Sequence, residues 1–389
     1  MSDLLERVRH RLATGAALLD LGEVAGQESA LLLDSAGRSE LSGQLAAELT
    51  GAGPLEELLA APGVTDVLVN APDQVWLDRG GGLERTPVRF DSDAAVRRLA
   101  TRLAAQAGRR LDDAAPFVDA VLPDGTRLHA ILPPLVAHPT LSLRVLARRS
   151  LALPELVALG AMPGELADLL AALVQARLTL LISGGTGSGK TTLLAALLAT
   201  VGSTERIVTV EDTAELVVRH PHVVALLARP ANVEGAGAVE LRELVRQALR
   251  MRADRLVVGE FRGAEIVELL AALNTGHAGG AATVHANSVG DVAARLVALA
   301  ALGGMPADAL ATQAASALDV LVHVRRDRDG RRRVEQLAVW PAGPVLAEPG
   351  LAWTRSAGLG PAAGQLRTLL EAAEVAVPAM LTGVVPCPG

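Results

Sequence analysis

Lys190 is the only lysine among the 36 lysine and arginine residues of this 389-residue chain, and it lies in a glycine-rich run. The run consists of Gly184, Gly185, Thr186, Gly187, Ser188, Gly189, Lys190, Thr191 and Thr192. Its spacing matches the phosphate-binding loop G-x-x-x-x-G-K-[ST], in which backbone N–H groups and a compact ammonium meet phosphate oxygens. The sequence therefore predicts a nucleotide phosphate site, with the Thr191 hydroxyl in the shell of a Mg²⁺ ion.

The surroundings of this loop fit that interpretation. An apolar strand is predicted over residues 178–182, and an apolar helix over residues 190–200. The positive end of such a helix attracts phosphate. The alternatives are a chance glycine-rich turn and a Rossmann-type loop, but the latter needs G-x-G-x-x-G in a register that the run does not offer.

Two carboxylates stand at the ends of later predicted strands. Glu211 follows the strand over residues 206–210, and Glu260 follows the strand over residues 256–258. In a parallel sheet these ends face the ligand crevice, so Glu260 is predicted to hold Mg²⁺ directly or through water, as a Walker B acid does. A solvated turn at Glu211 and an ordinary strand end at Glu260 are the alternatives.

Two histidines, His277 and His285, bracket a short predicted strand over residues 281–284. As neutral donors they are candidates for sensing the terminal phosphate of a nucleotide. A purely structural role is the alternative for each. Metal binding by the pair is disfavoured, because no third ligand stands at metal-site spacing.

The elements that position these residues change character along the chain. Short alternating strands and one amphipathic helix over residues 91–107 come first, and strand–helix alternation with a mainly parallel sheet follows. The predicted parts are residues 1–50 (helical extension), 51–149 (α+β domain), 150–163 (linker), 164–345 (α/β domain) and 346–389 (C-terminal tail).

Composition narrows the classes of function. A net charge of −7, 2 % aromatic residues and no tyrosine disfavour a protein that coats or stacks on nucleic acid. The single cysteine, Cys387, excludes an internal disulfide and a multi-cysteine zinc site. No predicted segment resembles a signal peptide or a bilayer span, so we expect a cytoplasmic protein.

Further runs accompany the loop, the acids and the histidines, at residues 64–70, 124–128, 141–144, 210–216, 229–235, 249–255 and 259–263. Together they resemble the secretion ATPases of the type II/type IV secretion superfamily, and the tight-adherence (Flp pilus) assembly ATPases most closely. The resemblance extends over residues 66–323. The tetracysteine zinc module of some branches is absent from this chain.

This resemblance implies an α+β N-terminal domain followed by a RecA-like P-loop ATPase domain, with ATP and Mg²⁺ as cofactors. It further implies a homo-hexamer, peripheral at the inner face of the cytoplasmic membrane, that drives pilus assembly or protein secretion. The implied partners are an inner-membrane platform protein and, indirectly, a pilin or secreted cargo, with nucleic acid disfavoured.

The resemblance also implies roles for individual residues. Glu211 would orient or deprotonate the attacking water, Glu260 would be the Walker B acid, and His285 or His277 would be the phosphate sensor. Arg127 and Arg144 of the N-terminal domain would contact the phosphates bidentately. Ordinary surface ion pairing is the alternative for these two arginines.

Two other functions stay open. A DNA-translocating ATPase of the conjugation type is the first, and its best support is a predicted hairpin tip rich in arginine, at Arg325, Arg326, Arg328, Arg331, Arg332 and Arg333. A nucleotide-gated scaffold without hydrolysis is the second, and the intact loop and acids argue against it.

Overall fold

The computed structural model describes residues 51–145, 150–229, 231, 235–276, 278–343 and 347–385. The chain divides into two compact units between Leu146 and Ala147. The predicted helical extension over residues 1–50 lies outside the described residues, as do His277 and Cys387.

The first unit contains an antiparallel six-stranded sheet in the order β3-β2-β1-β6-β5-β4. Its strands are β1 (Asp66–Ala71), β2 (Gln74–Asp78), β3 (Leu83–Arg85), β4 (Phe117–Val121), β5 (Arg127–Ile131) and β6 (Thr140–Arg144), and its helices are α1 (Glu56–Ala60) and α2 (Asp93–Gln106). Alternate strand residues are buried, and Val67 and Leu128 share a core with Val96 and Leu99 of α2. This is the α+β arrangement that the sequence predicts.

The second unit contains a nine-stranded sheet in the order β15-β14-β13-β12-β7-β11-β10-β8-β9. Its strands are β7 (Leu180–Gly184), β8 (Ile207–Glu211), β9 (Val223–Leu227), β10 (Arg255–Val258), β11 (Ala281–Val284), β12 (Val320–Arg326), β13 (Arg332–Val339), β14 (Gly350–Thr354) and β15 (Gly358–Leu359). The strands from β12 to β9 run parallel, and β13, β14 and β15 are added antiparallel.

Helices cover both faces of this sheet. They are α3 (Leu153–Ala158), α4 (Gly164–Gln175), α5 (Lys190–Leu198), α6 (Leu241–Ala248), α7 (Ile266–Leu273), α8 (Gly290–Leu302), α9 (Ala307–Ala317) and α10 (Ala363–Ala372). The strand β7 shows the two faces, because Leu180 and Ile182 belong to one buried core and Leu181 to the other. The predicted mainly parallel sheet of a RecA-like domain is confirmed.

The second unit begins earlier and ends later than the predicted α/β domain. Residues 150–163, predicted as a linker, contain α3, whose Leu153 and Leu156 are buried in the same core as α4. The predicted tail after residue 345 contributes β14, β15 and α10, and Trp353 and Leu366 are buried in that core too. The linker helix α3 is short, and the strands β14 and β15 are short and lie among Gly, Ala and Pro. Such short elements leave little periodicity in the sequence, which is why these regions were predicted as linker and tail.

Two helices, α8 and α9, lie between β11 and β12, and α9 ends three residues before β12 begins. Among the described residues, no single helix has the length and apolarity needed to cross a membrane. The pair α8 and α9 passes such a test only when taken together, and it is bent by 118°.

Candidate nucleotide site

The predicted phosphate loop joins β7, the middle strand of the sheet, to the first residue of α5. Gly184 is packed so closely that a Cβ there would lie 2.3 Å from the carbonyl oxygen of Val324 and 2.6 Å from Ser188 Oγ. Gly189 has a φ of +98° and directly precedes the helix, a backbone conformation that costs glycine little. The unsatisfied N–H groups of the first turn of α5 therefore point toward the loop, as anion binding requires.

Lys190 is buried, and its ammonium lies over this loop. Its Nζ donates to the carbonyl oxygens of Gly184 at 3.0 Å and Gly185 at 3.1 Å. The same Nζ lies 3.5 Å from Oε1 of Glu260. Burial lowers the pKa of Lys190, and the neighbouring Glu260 carboxylate opposes that shift. The lysine is thus held at the loop between backbone oxygens and one acid.

Glu260 lies two residues after the end of β10, and its carboxylate is the acid near the Lys190 ammonium. Its Oε2 accepts a hydrogen bond from Arg262 Nε at 2.8 Å, and its side chain is partly exposed. The structure therefore brings the predicted Walker B acid to the loop lysine. It adds Arg262 as a cationic neighbour that the sequence did not single out.

Glu211 ends β8 and is almost fully buried, with 4 % of its surface exposed. Its Oε1 accepts hydrogen bonds from the backbone N–H of Glu215 at 3.2 Å and of Leu216 at 2.9 Å. Burial raises the pKa of Glu211 to about 7, against the effect of these two bonds, and the nearby Glu215 carboxylate raises it further. A carboxyl group with such a pKa suits proton transfer near neutral pH.

Gly259 makes room for the Glu211 carboxylate. In the sheet, β8 and β10 are parallel neighbours with Val210 opposite Val258, so Glu211 and Gly259 are adjacent at the strand ends. A Cβ on Gly259 would lie 2.7 Å from Cγ of Glu211. The glycine of the Gly259-Glu260 pair is thus a steric requirement of the site.

The hydroxyl-bearing residues of the loop differ in exposure. Thr186 is exposed, Thr191 and Thr192 are half-buried, and Ser188 is buried with an Oγ that has no hydrogen-bond partner among the described residues. Among the residues that the structure describes, no group of three or more His, Cys, Asp or Glu side chains is arranged to hold a metal ion. A Mg²⁺ ion commonly takes one or two protein oxygens together with phosphate and water, and the donors of Thr191 and Glu260 fit that pattern.

Of the two predicted histidines, the structure describes one. His285 is half-buried and follows β11 directly, whereas His277 lies outside the described residues. A third histidine, His323 on β12, was not predicted as a site residue. It is buried, its Nδ1 lies 2.9 Å from Ser183 Oγ, and its ring hydrogen-bonds to the backbone of Asn287.

His323 therefore joins the strand before the loop to the segment after β11. Its pKa is lowered, chiefly by burial and also by the positive charge of Arg325, so the neutral ring is favoured. The sequence signal was a lone histidine inside an apolar strand. That signal is usual for a satisfied core residue and does not reveal its neighbours.

Arg127 and Arg144 belong to the first unit, where they are cross-strand partners on β5 and β6. Each has an ion pair on the sheet surface: Arg127 Nη2 lies 2.9 Å from Asp119, and Arg144 Nε lies 2.9 Å from Asp66. Partly exposed pairs of this kind contribute little to stability. The two guanidinium groups thus stand side by side, and their contact with phosphate stays a prediction.

The fold and the site together define a RecA-like P-loop ATPase. A phosphate loop follows the middle strand of a largely parallel sheet, and two carboxylates stand at or just after the ends of two neighbouring strands at the same edge. The model of the family described as "Type II/IV secretion system protein" matches residues 48–338, and the chain belongs to this family.

Individual relatives agree with that assignment. The chain is 57% identical over 334 residues to the "Putative conjugal transfer protein Rv3659c" of Mycobacterium tuberculosis, covering 84% of this chain and 95% of that protein. It is 34% identical over 313 residues to the type IV secretion system protein PtlH of Bordetella pertussis, covering 72% of this chain and 91% of the other. The crystal structure of the ATPase DotB of Legionella pneumophila matches with a TM-score of 0.51 and 21% identity, over 75% of this chain and 79% of that one, which supports the fold.

Proposed function

We propose that this chain is an ATP-hydrolysing motor that powers pilus assembly or protein secretion at the inner face of the cytoplasmic membrane. The observation that carries the proposal is the contact of Lys190 with both the loop carbonyls and Glu260, together with a buried Glu211 that packs against Gly259, the residue before Glu260. A scaffold without hydrolysis would have no need for a buried carboxyl group with a raised pKa at this edge of the sheet.

In this proposal the residues divide the work of binding and cleavage. Lys190 and the N–H groups of the loop bind the β- and γ-phosphates, and Thr191 and Glu260 hold Mg²⁺, which offsets phosphate charge when bound. Glu211 orients the attacking water and accepts its proton, for which a pKa of about 7 is well suited. His285, with His277, responds to the terminal phosphate as a neutral donor.

The assembly that we propose is a homo-hexamer working with an inner-membrane platform protein, as in tight-adherence pilus systems. Arg127 and Arg144 would reach the phosphates from the N-terminal domain and add a second source of positive charge. Arginine suits this role, because it stays charged and bonds phosphate oxygens in pairs. Membership of the type II/IV secretion family supports the motor.

A DNA-translocating function is the second candidate, and the conjugal transfer name of the Mycobacterium tuberculosis relative favours it. The arginine-rich hairpin offers less charge for DNA than its composition suggests. Arg325 and Arg333 each lie 3.2 Å from Asp327, and Arg325 is also 3.4 Å from Glu335. Partly neutralised arginines attract a phosphate backbone weakly, which leaves protein export as the preferred function.

The proposal is tested by separating binding from cleavage. Glu211→Gln and Glu260→Gln should bind ATP with nearly wild-type affinity, whereas their turnover should fall by roughly 10²-fold or more. Normal turnover in Glu211→Gln would contradict the assignment of the base.

The two candidate functions differ in their response to nucleic acid. Addition of single-stranded DNA should leave ATP turnover unchanged if the cargo is protein. Stimulation by several-fold that disappears steeply with salt would favour the DNA motor instead.

A further inference from the structure

Two arginines of the hairpin formed by β12 and β13 lie beside the phosphate loop. The strand β12 runs parallel to β7 with Val324 opposite Gly184, so Arg326 extends two residues beyond that pair, to the level of the loop. The strand β13 returns antiparallel and places Arg332 opposite Arg326. The pairing of the strands thus brings both side chains to the loop within one unit.

Contacts with the loop backbone support this placement. Nε of Arg332 donates to the carbonyl oxygen of Gly187 at 2.9 Å. The Cδ of the same arginine lies 3.3 Å from the position that a Cβ would take on Gly189, and Nη1 of Arg326 lies 3.8 Å from the corresponding position on Gly187. Both side chains therefore follow the surface of the anion-binding loop.

The other arginines of the hairpin have different surroundings. Arg325 and Arg333 form the neighbouring cross-strand pair, and both lie within ion-pair distance of Asp327. Arg331, at the tip, is 70% exposed and lies 3.5 Å from Asp329. The alternation of side chains along the hairpin thus directs Arg325 and Arg333 toward Asp327, and Arg326 and Arg332 toward the loop.

The acids and these two arginines therefore lie on opposite sides of the phosphate loop. In the sheet, β12 and β13 lie on one side of β7, whereas β10 and β8, which carry Glu260 and Glu211, lie on the other. A polyphosphate on the loop would have the acids at one end and the arginines along its opposite side. A phosphate group placed between these two guanidinium groups would accept charge-assisted hydrogen bonds from both.

We propose that Arg326 and Arg332 bind the polyphosphate of a nucleoside di- or triphosphate from the same subunit as the loop. Arg332 also holds the loop backbone in position through the Gly187 carbonyl. Because the two arginines lie away from Glu211 and Glu260, they act in nucleotide binding and not in the cleavage step. This inference rests on the proposed nucleotide binding at Lys190.

The test compares full-length variants by ADP titration and by steady-state ATP hydrolysis. Arg326→Ala and Arg332→Ala should each weaken ADP binding about 10-fold and raise KM for ATP similarly, as loss of a charge-assisted hydrogen bond predicts. The kcat should change by less than about 2-fold, because the lost interaction stabilises bound ATP and the transition state equally. Arg331→Ala is the matched control, an arginine of the same hairpin away from the loop, and it should bind ADP as the wild type does.

The outcomes separate this inference from the function on which it rests. If both variants bind ADP normally while Lys190→Ala does not, the arginine proposal is overturned and the nucleotide site stands. If Lys190→Ala also binds ADP normally, the proposed function itself fails.

A purely structural role has its own signature. Arg326→Lys keeps the charge and should restore part of the lost ADP affinity, with the melting temperature without nucleotide unchanged in both substitutions. An equal loss of affinity in Arg326→Lys, accompanied by a lower melting temperature, would overturn the proposal in favour of a structural role.

Discussion

Replacing the buried carboxyl group of Glu211 by an amide should change how the stability of the protein depends on pH. The pKa of Glu211 is raised from 4.5 to about 7, mainly by burial. Below pH 4.5 the folded and unfolded forms both carry the proton. As the pH rises toward 7 the unfolded form loses its proton first, so the wild type loses stability over this window.

The magnitude follows from the size of the pKa shift. A rise from 4.5 to about 7 corresponds to roughly 3 kcal/mol of lost stability once the pH exceeds both values. In Glu211→Gln the amide oxygen still accepts from the N–H groups of Glu215 and Leu216, and no charge is buried. The variant should therefore gain up to roughly 3 kcal/mol over the wild type between about pH 4.5 and pH 8.

Urea unfolding of both proteins gives the free energy of unfolding of each across that pH range, and the difference between the two values at each pH measures the effect. The exposed Glu243→Gln substitution is the matched control, and it should follow the wild-type profile. If the difference in the free energy of unfolding between the wild type and Glu211→Gln stays constant with pH, the assignment of a raised pKa to Glu211 is refuted. The role of Glu211 as a base near neutral pH would then lose its support.

Three other experiments test the roles proposed for individual residues. Gly259→Ala would place a Cβ 2.7 Å from Cγ of Glu211, so ATP turnover should fall by roughly 10²-fold while ADP binding persists; loss of both would indicate a collapsed loop. Lys190 is the only lysine, so pyridoxal phosphate followed by borohydride should label only this side chain and the N-terminal amine. A peptide map should show that ATP protects Lys190 and not the N-terminal amine. Equal labelling of Lys190 with and without ATP would contradict nucleotide binding there. Arg127→Ala and Arg144→Ala should lower turnover without lowering the melting temperature in the absence of nucleotide, whereas a lowered melting temperature would favour purely structural ion pairs.

The sequence predicts the phosphate loop well because its function depends on local spacing. Glycines, one lysine and a following helix are all contiguous, and the structure places β7 and α5 around them. The two acids were also predictable near strand ends, since one hydrophobic run stops directly before Glu211 and another stops one residue before Glu260. The packing of Glu211 against Gly259 was not predictable, because it depends on β8 and β10 being neighbours in the sheet.

Residues that reach the loop from distant parts of the chain escaped prediction for a related reason. His323, Arg326 and Arg332 lie more than a hundred residues beyond the loop, and they meet it or the strand before it only because β12 pairs with β7. In the sequence the arginines belong to a polar turn, which is most often solvated. Similarly, β14 and β15 are short, and they hold their place because β14 pairs with β13 and β15 pairs with β14, a tertiary effect that leaves little periodicity to detect.

The most direct test of the central claim is steady-state ATP hydrolysis by the purified full-length chain with Mg²⁺, measured against Lys190→Ala as the blank. We predict turnover that requires both Mg²⁺ and Lys190, because the ammonium is held at the loop by the carbonyls of Gly184 and Gly185. Turnover that is equal in the wild type and the Lys190→Ala variant would contradict the account.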